Sequence, residues 1–281
     1  MKLLDYDLSK KTLIMGILNV TPDSFSDGGQ FNTYNKAIKY AKKMAKEGAD
    51  IIDIGGESTR PGAEKISSEV ELKRILPVVK KLANEIDIPI SVDTYKSDVA
   101  RKCLSAGASM INDITAFRGD NKLAGVIKEY KVPMCLMHMK GTPENMQKNP
   151  TYKDVIKEIK EFLEKRCKFA IKKGISKNKI IIDPGIGFGK RTGKDIEDNC
   201  TIIANIDEFK KLGFPVLIGA SRKTFIGNIS GKKKLKPNDR LEGSISAAII
   251  SAVNGANILR VHDVKETRRA LDVLKCVIHN S

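Results

Sequence analysis

Two sets of polar residues stand at the ends of short apolar runs along this chain. The first is Asp53, Asp93, Asn112 and Asp183, all hydrogen-bond acceptors. Acceptors with few cations among them call for donors on a ligand, such as the amino and ring N–H groups of a heterocycle. Clustered carboxylates also suit Mg²⁺, a hard cation that takes oxygen ligands. The second set is cationic. The run Val216–Ile218 leads into Gly219-Ala-Ser-Arg-Lys-Thr224, and Ile258–Leu259 ends at Arg260 and His262. Arginine holds phosphate with a bidentate fork, and the free N–H groups of a helix start favour negative charge. Arg260 and His262 flank Val261, so both point the same way in an extended chain. The predicted chemistry is a polar ring held at one end and an anion at the other. The competing reading of Arg260 is an ion pair with a carboxylate at the same rim.

Other signals are weaker. Asp93, with Ser97 nearby, also fits the capping of a following helix. Asp183 fits that reading poorly, because Pro184-Gly-Ile-Gly-Phe-Gly189 follows it. The glycine spacing there only faintly matches a dinucleotide fingerprint. It reads as close backbone approach to a flat ligand, or as a tight turn. His138, alone at a strand end, reads as a structural histidine. No Ser/His/Asp order and no His/Cys metal spacing is present.

Eight elements must position these residues. The apolar runs are Leu13–Leu18, Ile51–Ile52, Ile88–Val92, Met110–Ile111, Val132–Met137, Ile180–Ile182, Val216–Ile218 and Ile258–Leu259. Short runs rich in Ile and Val suit strands buried on both faces of a parallel sheet. Helical periodicity occupies 34–48, 68–86, 97–106, 122–130, 153–174, 195–212, 239–254 and 264–279. Alternation of strand and helix implies parallel strands with right-handed crossovers. Eight such units in 281 residues predict an α/β fold, a single-domain (β/α)₈ TIM barrel over 1–281, with an open doubly wound sheet as the alternative. Strand-end residues in such a barrel share one face. Two loops on that face are long: 19–33, holding TPDSFSDGGQ, and 55–67, holding GGESTRPGAEK. Loops of this composition can close over a ligand and reopen.

Composition sets the remaining bounds. The hydrophobic content of 41% supports a real core, and with 5% aromatics and no Trp that core is aliphatic. The net charge of +16 raises nucleic-acid binding as a rival function. The lysines, however, are spread among Glu and Asp on helical segments and lack aromatic stacking partners, which suits a solvated surface. Five scattered cysteines read as thiols rather than disulfides or metal ligands. Neither a signal peptide nor a membrane-spanning stretch is read from the sequence, so the expected compartment is the cytoplasm.

The motifs together resemble the dihydropteroate synthase family. The resemblance rests on GILNVTPDSFSDGG (16–29), DIIDIGGESTRPG (50–62), SVDTY (91–95), MINDI (110–114), LMHMKGTPENMQ (136–147), IIIDPGIGFGK (180–190), PVLIGASRKTFIG (215–227) and ILRVHDV (258–264). It implies a barrel that is usually a homodimer and joins (7,8-dihydropterin-6-yl)methyl diphosphate to p-aminobenzoate with release of diphosphate. It implies Asn19 as a Mg²⁺ ligand. Asp93, Asn112, Asp183 and Lys223 match pterin-binding positions. Thr59, Arg260, Val261 and His262 match the diphosphate side. Phe25, Arg60, Pro61, Phe188 and Thr224 match the surroundings of p-aminobenzoate. Lys223, Arg260 and His262 carry the catalytic expectation. Small molecules, and neither nucleic acid nor membrane, are the expected partners.

One segment departs from the family pattern. RTGKDIEDN after Lys190 is a few residues longer than in common bacterial members. It lies near the expected nucleophile pocket and leaves room for a substituted aminobenzene. The nearest rival enzyme is a pterin-dependent methyltransferase serving a corrinoid protein. That chemistry needs neither the TPDSFSDGG loop nor a diphosphate cradle.

Overall fold

The computed structural model describes residues 2–4, 6–21, 29–59, 62–193, 197–229 and 235–279. Eight strands build the main sheet: β1 Leu13–Asn19, β2 Ile51–Gly55, β3 Ile90–Asp93, β4 Met110–Asp113, β5 Met134–Met137, β6 Ile180–Asp183, β7 Leu217–Ile218 and β8 Ile258–Val261. Strands adjacent in sequence are adjacent and parallel in space, and β8 pairs with β1. A parallel bridge between Ile182 and Val216 joins β6 to the start of β7. The sheet therefore closes into a (β/α)₈ barrel. A doubly wound sheet would reverse strand order at a switch point, and this one does not.

The outer layer holds α1 Gly29–Lys46, α2 Ser68–Leu82, α3 Ser97–Ser105, α4 Leu123–Tyr130 and α5 Val155–Lys172. It continues with α6 Asp198–Ala204, α7 Ile206–Lys210, α8 Thr224–Ile229, α9 Leu241–Val253 and α10 Val264–His279. Two departures from the periodicity stand out, beside shifts of one to four residues at other helix ends. The first helix starts earlier, at Gly29. The segment read as one helix over 195–212 is interrupted at Asn205. There the backbone leaves helical dihedrals, with φ −118° and ψ 36°, and the side-chain Nδ2 joins the main-chain N–H on the Thr201 carbonyl, at 2.8 Å.

Strand alternation separates two cores. One set of side chains faces the helices: Ile14, Leu18, Ile52, Ile54, Val92, Ile111 and Leu136 pack with Ala37, Met44, Ile75, Cys103 and Leu163. Each fully buried aliphatic side chain there contributes roughly 1.5–3 kcal/mol of transfer free energy. The opposite set faces the barrel axis. Leu13, Met15, Ile51, Met110, Cys135, Ile181, Leu217 and Ile258 form its lower layer. A hairpin of Lys2–Leu3 with Tyr6–Asp7 seals that end, adding Leu3 and Leu8 to the layer. Two residues further along the same strands the inward positions turn polar. Asp53 follows Ile51, Asn112 follows Met110, Asp183 follows Ile181 and Arg260 follows Ile258. Strand period alone brings these four to one rim.

The charged exterior is laced with ion pairs, among them Lys42–Glu85, Lys160–Glu208 and Lys168–Glu164. The densest lysine run, 232–234, lies outside the described residues. Among the described residues no helix is long and apolar enough to cross a membrane.

Candidate active site

Arg260 is the centre of the rim. Its Nε donates to Asp53 Oδ2 at 2.7 Å and its Nη2 to Asp93 Oδ2 at 2.8 Å. The ion-pair reading of Arg260 is thus realised, and the guanidinium also remains at the site. Asp53 Oδ2 accepts a second bond, from Asn112 Nδ2, at 3.0 Å. A carboxylate only accepts, so the amide must turn its NH₂ toward Asp53. Its carbonyl oxygen is then the group left for a ligand donor. Asp93 and Asn112 are direct register partners on β3 and β4. Asp93 caps no helix: α3 receives its side-chain acceptor from Asp120, which takes the Ser97 N–H at 2.9 Å.

Burial raises the pKa of Asp93, the nearby Asp53 raises it further, and Arg260 opposes both. A single guanidinium compensates only one of these two carboxylates. Asp183 is pushed up to about 6, again by burial, against the bond from the Gly185 N–H and the charges of Lys223, Lys190 and Arg260. The clustered-carboxylate metal reading fails on this geometry, because Asp53 and Asp93 are taken by Arg260. Among the described residues no group of three or more His, Cys, Asp or Glu is arranged to hold a metal.

Lys223 sits at the end of a tight turn after β7. Its Nζ lies 4.1 Å from the Phe188 ring centroid, a cation–π contact. Burial and the Arg260 charge pull its pKa down to about 8, with Asp183 and Asp93 opposing. Thr224, the next residue, opens α8 and is exposed. His262 follows β8, and its Nδ1 is 3.0 Å from Ser221 Oγ. Burial, Arg260 and Arg222 draw its pKa down to about 3, so the ring is neutral. Val261 points the other way: its side chain belongs to the sheet–helix core. Only its main chain can face a ligand.

The glycine-rich segment after Asp183 is shaped by the protein rather than by a flat ligand. Gly185 has φ +73°, and a Cβ there would stand 1.9 Å from the His138 carbonyl oxygen. At Gly187, φ +78°, a Cβ would press on Lys223 Cδ at 3.1 Å. The buried Lys190 ammonium ties the turn by donating to the carbonyls of Gly185 at 2.8 Å and Phe188 at 2.9 Å. It also lies 3.1 Å from His138 Nδ1, which accounts for that histidine as structural. The extended segment after Lys190 is pinned at its base by Arg191–Asp198 and a Thr192–Glu197 bridge.

A cleft of about 470 Å³ opens beside Asp93, between the loops after β2 to β5, lined in part by Thr59, Asp93, Ile114, Thr115, Met139 and Thr142. Ile114, Met137, Met139, Met146 and Phe188 form a small apolar cluster at this mouth, a wall suited to a flat ring. Asn19 ends β1 beside Gly55 of β2. Phe25, Arg60 and Pro61 lie outside the described residues. Sequence reasoning missed the apolar wall, the pairing of Ser221 with His262 and the Lys96–Glu57–Glu71 cluster under the second loop. The wall had a signal: Met137 and Met139 continue the inward alternation of Cys135.

Similarity to known proteins agrees with this geometry. The sequence model of the family described as pterin binding enzyme matches residues 15–262. Dihydropteroate synthase of Synechocystis sp. is 46% identical over 260 residues, 92% of this chain and 88% of that protein. The crystal structure of Yersinia pestis dihydropteroate synthase with a sulfonamide drug superposes with a TM-score of 0.90 at 42% identity, covering 98% of this chain and 96% of that one. Xanthomonas albilineans dihydropteroate synthase in complex with 7,8-dihydropteroate gives 0.86 at 41% identity, covering 97% and 95%. Motifs at the strand ends, the closed barrel and likeness over nearly the full length agree: the chain belongs to the dihydropteroate synthase family.

Proposed function

We propose that this chain transfers the (7,8-dihydropterin-6-yl)methyl group from its diphosphate to the amine of p-aminobenzoate, in folate biosynthesis. The 7,8-dihydropteroate bound to the Xanthomonas relative is the product such a reaction yields. The observation that carries the reading is the junction at Arg260, where a guanidinium faces ring acceptors through Asp53 and Asp93 and stands beside His262. The ring end is Asp93, the Asn112 carbonyl and Asp183, three acceptors for amino and ring N–H donors. The anion end is Arg260, His262, Lys223 and Thr59.

The methylene–oxygen bond breaks with its electron pair leaving on diphosphate. The arylamine lone pair forms the new C–N bond, and the surplus N–H proton passes to solvent. Arg260 and Lys223 stabilise charge that builds on the departing oxygens, in a site where burial strengthens every such interaction. The arylamine is neutral at pH 7 and already nucleophilic, so the reaction needs no dedicated base. Phe188 and Thr224 flank Lys223 and bound the arylamine.

Asn19 fits Mg²⁺. Its amide oxygen is a hard donor, and Gly55 leaves the adjoining space open: a Cβ there would stand 3.9 Å from Asn19 Oδ1 and 3.7 Å from Asp93 Oδ2. Mg²⁺ favours one or two protein oxygens completed by phosphate and water. When bound, it would neutralise charge on the diphosphate.

A homodimer is supported by apolar side chains on α9 and α10, which pack on each other. Ile250, Val253, Val273 and Val277 are at least half exposed, an unusual cost unless a second copy covers them. Val273→Glu with Val277→Glu is expected to give monomers in sedimentation; an unchanged dimer places the interface elsewhere. Buried thiols at Cys103, Cys135 and Cys167 support a reducing, cytoplasmic setting. The ring end is tested by Asp183→Asn, expected to weaken a pterin analogue in calorimetry by at least tenfold. Unchanged affinity contradicts it.

A further inference from the structure

Two staples join the turn after β7 to the end of β8. Arg222 binds Asp263, with Nε 3.0 Å from Oδ2. Ser221 meets His262 twice: its Oγ accepts the His262 main-chain N–H at 3.2 Å and lies 3.0 Å from Nδ1. Arg222 itself is held in the left-handed region, φ 57°, with its N–H donated to Ser244 Oγ at 2.9 Å. The turn that carries Ser221 is therefore fixed from both sides, and Ser221 is buried at 6% exposure.

A hydroxyl has one proton and two lone pairs. One lone pair of Ser221 Oγ takes the main-chain N–H of His262. If Nδ1 carried a proton and gave it to the second lone pair, the serine proton would be left buried without an acceptor, which is unfavourable for any buried donor. Donation from Ser221 to Nδ1 satisfies every group. The imidazolium alternative is opposed by burial and by the cations Arg260, Arg222 and Lys223, against the single nearby carboxylate of Asp263.

We propose that Ser221 is a positioning residue that holds His262 as the neutral tautomer with its proton on Nε2, so that His262 meets the departing anion as a fixed hydrogen-bond donor. The inference rests on the reading of Arg260 and His262 as the anion end. It assigns work to a serine that carries no charge and touches the anion only through its neighbour. Outer partners of this kind set tautomer and ring orientation in other histidine sites.

The chain has three histidines, so ¹⁵N-histidine labelling gives a resolvable spectrum, with His262→Gln identifying the signals of interest. In the full-length enzyme at pH 7 the expected spectrum places the His262 proton on Nε2. In Ser221→Ala the two tautomers are expected to mix, and diphosphate affinity in calorimetry to fall about tenfold. A pterin lacking the diphosphate should bind as before. Ser221→Thr, which keeps the hydroxyl, should restore both the spectrum and the affinity. A proton on Nδ1, a charged ring, or an unchanged tautomer in Ser221→Ala overturns the proposal. A changed tautomer with unchanged diphosphate affinity instead overturns the anion-end reading, and the functional half of the proposal falls with it.

Discussion

Arg260 Nε donates to Asp53 Oδ2 at 2.7 Å, joining residues 207 positions apart across the barrel mouth. Asp53 is fully buried, and the same oxygen holds the Asn112 amide. One carboxylate thus orients both a residue of the ring end and a residue of the anion end. Removing one partner of a buried ion pair leaves the other uncompensated, at about 3–5 kcal/mol. Arg260→Ala is therefore expected to lose turnover and also to lower the urea unfolding midpoint. Arg260→Lys keeps the charge and should fold, with kcat/KM down on the order of 10²-fold from lost geometry. A wild-type midpoint in Arg260→Ala contradicts the pairing.

Ring binding should release protons. Asp183, raised to about 6, and Asp93, also raised, are partly protonated in the free enzyme near pH 6. Amino and ring N–H donors favour the ionised carboxylates, so binding shifts both pKa values down and expels protons. Pterin affinity is expected to weaken as pH falls through 6. Calorimetry in buffers of different ionisation heat measures the release. No proton release between pH 6 and 7 argues against these acceptors.

Lys223 should set an alkaline limit. Its pKa is pulled down to about 8, so the cation that helps diphosphate leave is lost as pH rises past that value. The kcat/KM profile is expected to fall above pH 8. Lys223→Ala should lose about 10²–10³-fold and flatten that limb. Near-wild-type kcat/KM in Lys223→Ala removes the residue from the chemistry.

Lys96 should govern the second loop. Its Nζ donates to Glu57 Oε2 and Glu71 Oε2, each at 2.5 Å. Glu57 stands two residues before Thr59, so the pair anchors the base of that loop to α2. Lys96→Met is expected to raise KM for the arylamine by on the order of tenfold, while pterin affinity measured alone holds. Lys96→Arg should recover most of it. Equal losses in both affinities would assign Lys96 to the ring end instead.

The barrel and much of the site were legible because strand period is rigid. Once Ile51, Met110, Ile181 and Ile258 are read as inward, Asp53, Asn112, Asp183 and Arg260 must share a rim. The same rule turns Val261 outward, between Arg260 and His262. What the sequence withheld depends on pairing across loops. Nothing local marks Ser221 as the partner of His262, Glu57 as the partner of Lys96, or Lys190 as the tie inside the glycine turn. The break at Asn205 is a change of backbone dihedrals at one residue, which periodicity does not encode. The terminal hairpin has two-residue strands, too short to show any alternation.

The most direct measurement is a coupled diphosphate-release assay with (7,8-dihydropterin-6-yl)methyl diphosphate, run with p-aminobenzoate, with larger arylamines and with no amine. The expected result is one diphosphate per dihydropteroate formed, with release dependent on p-aminobenzoate and lowered about 10²–10³-fold in Lys223→Ala. Methyl transfer from methyltetrahydrofolate without diphosphate release, or release indifferent to the arylamine, contradicts a site that grips a ring at one end and frees an anion at the other.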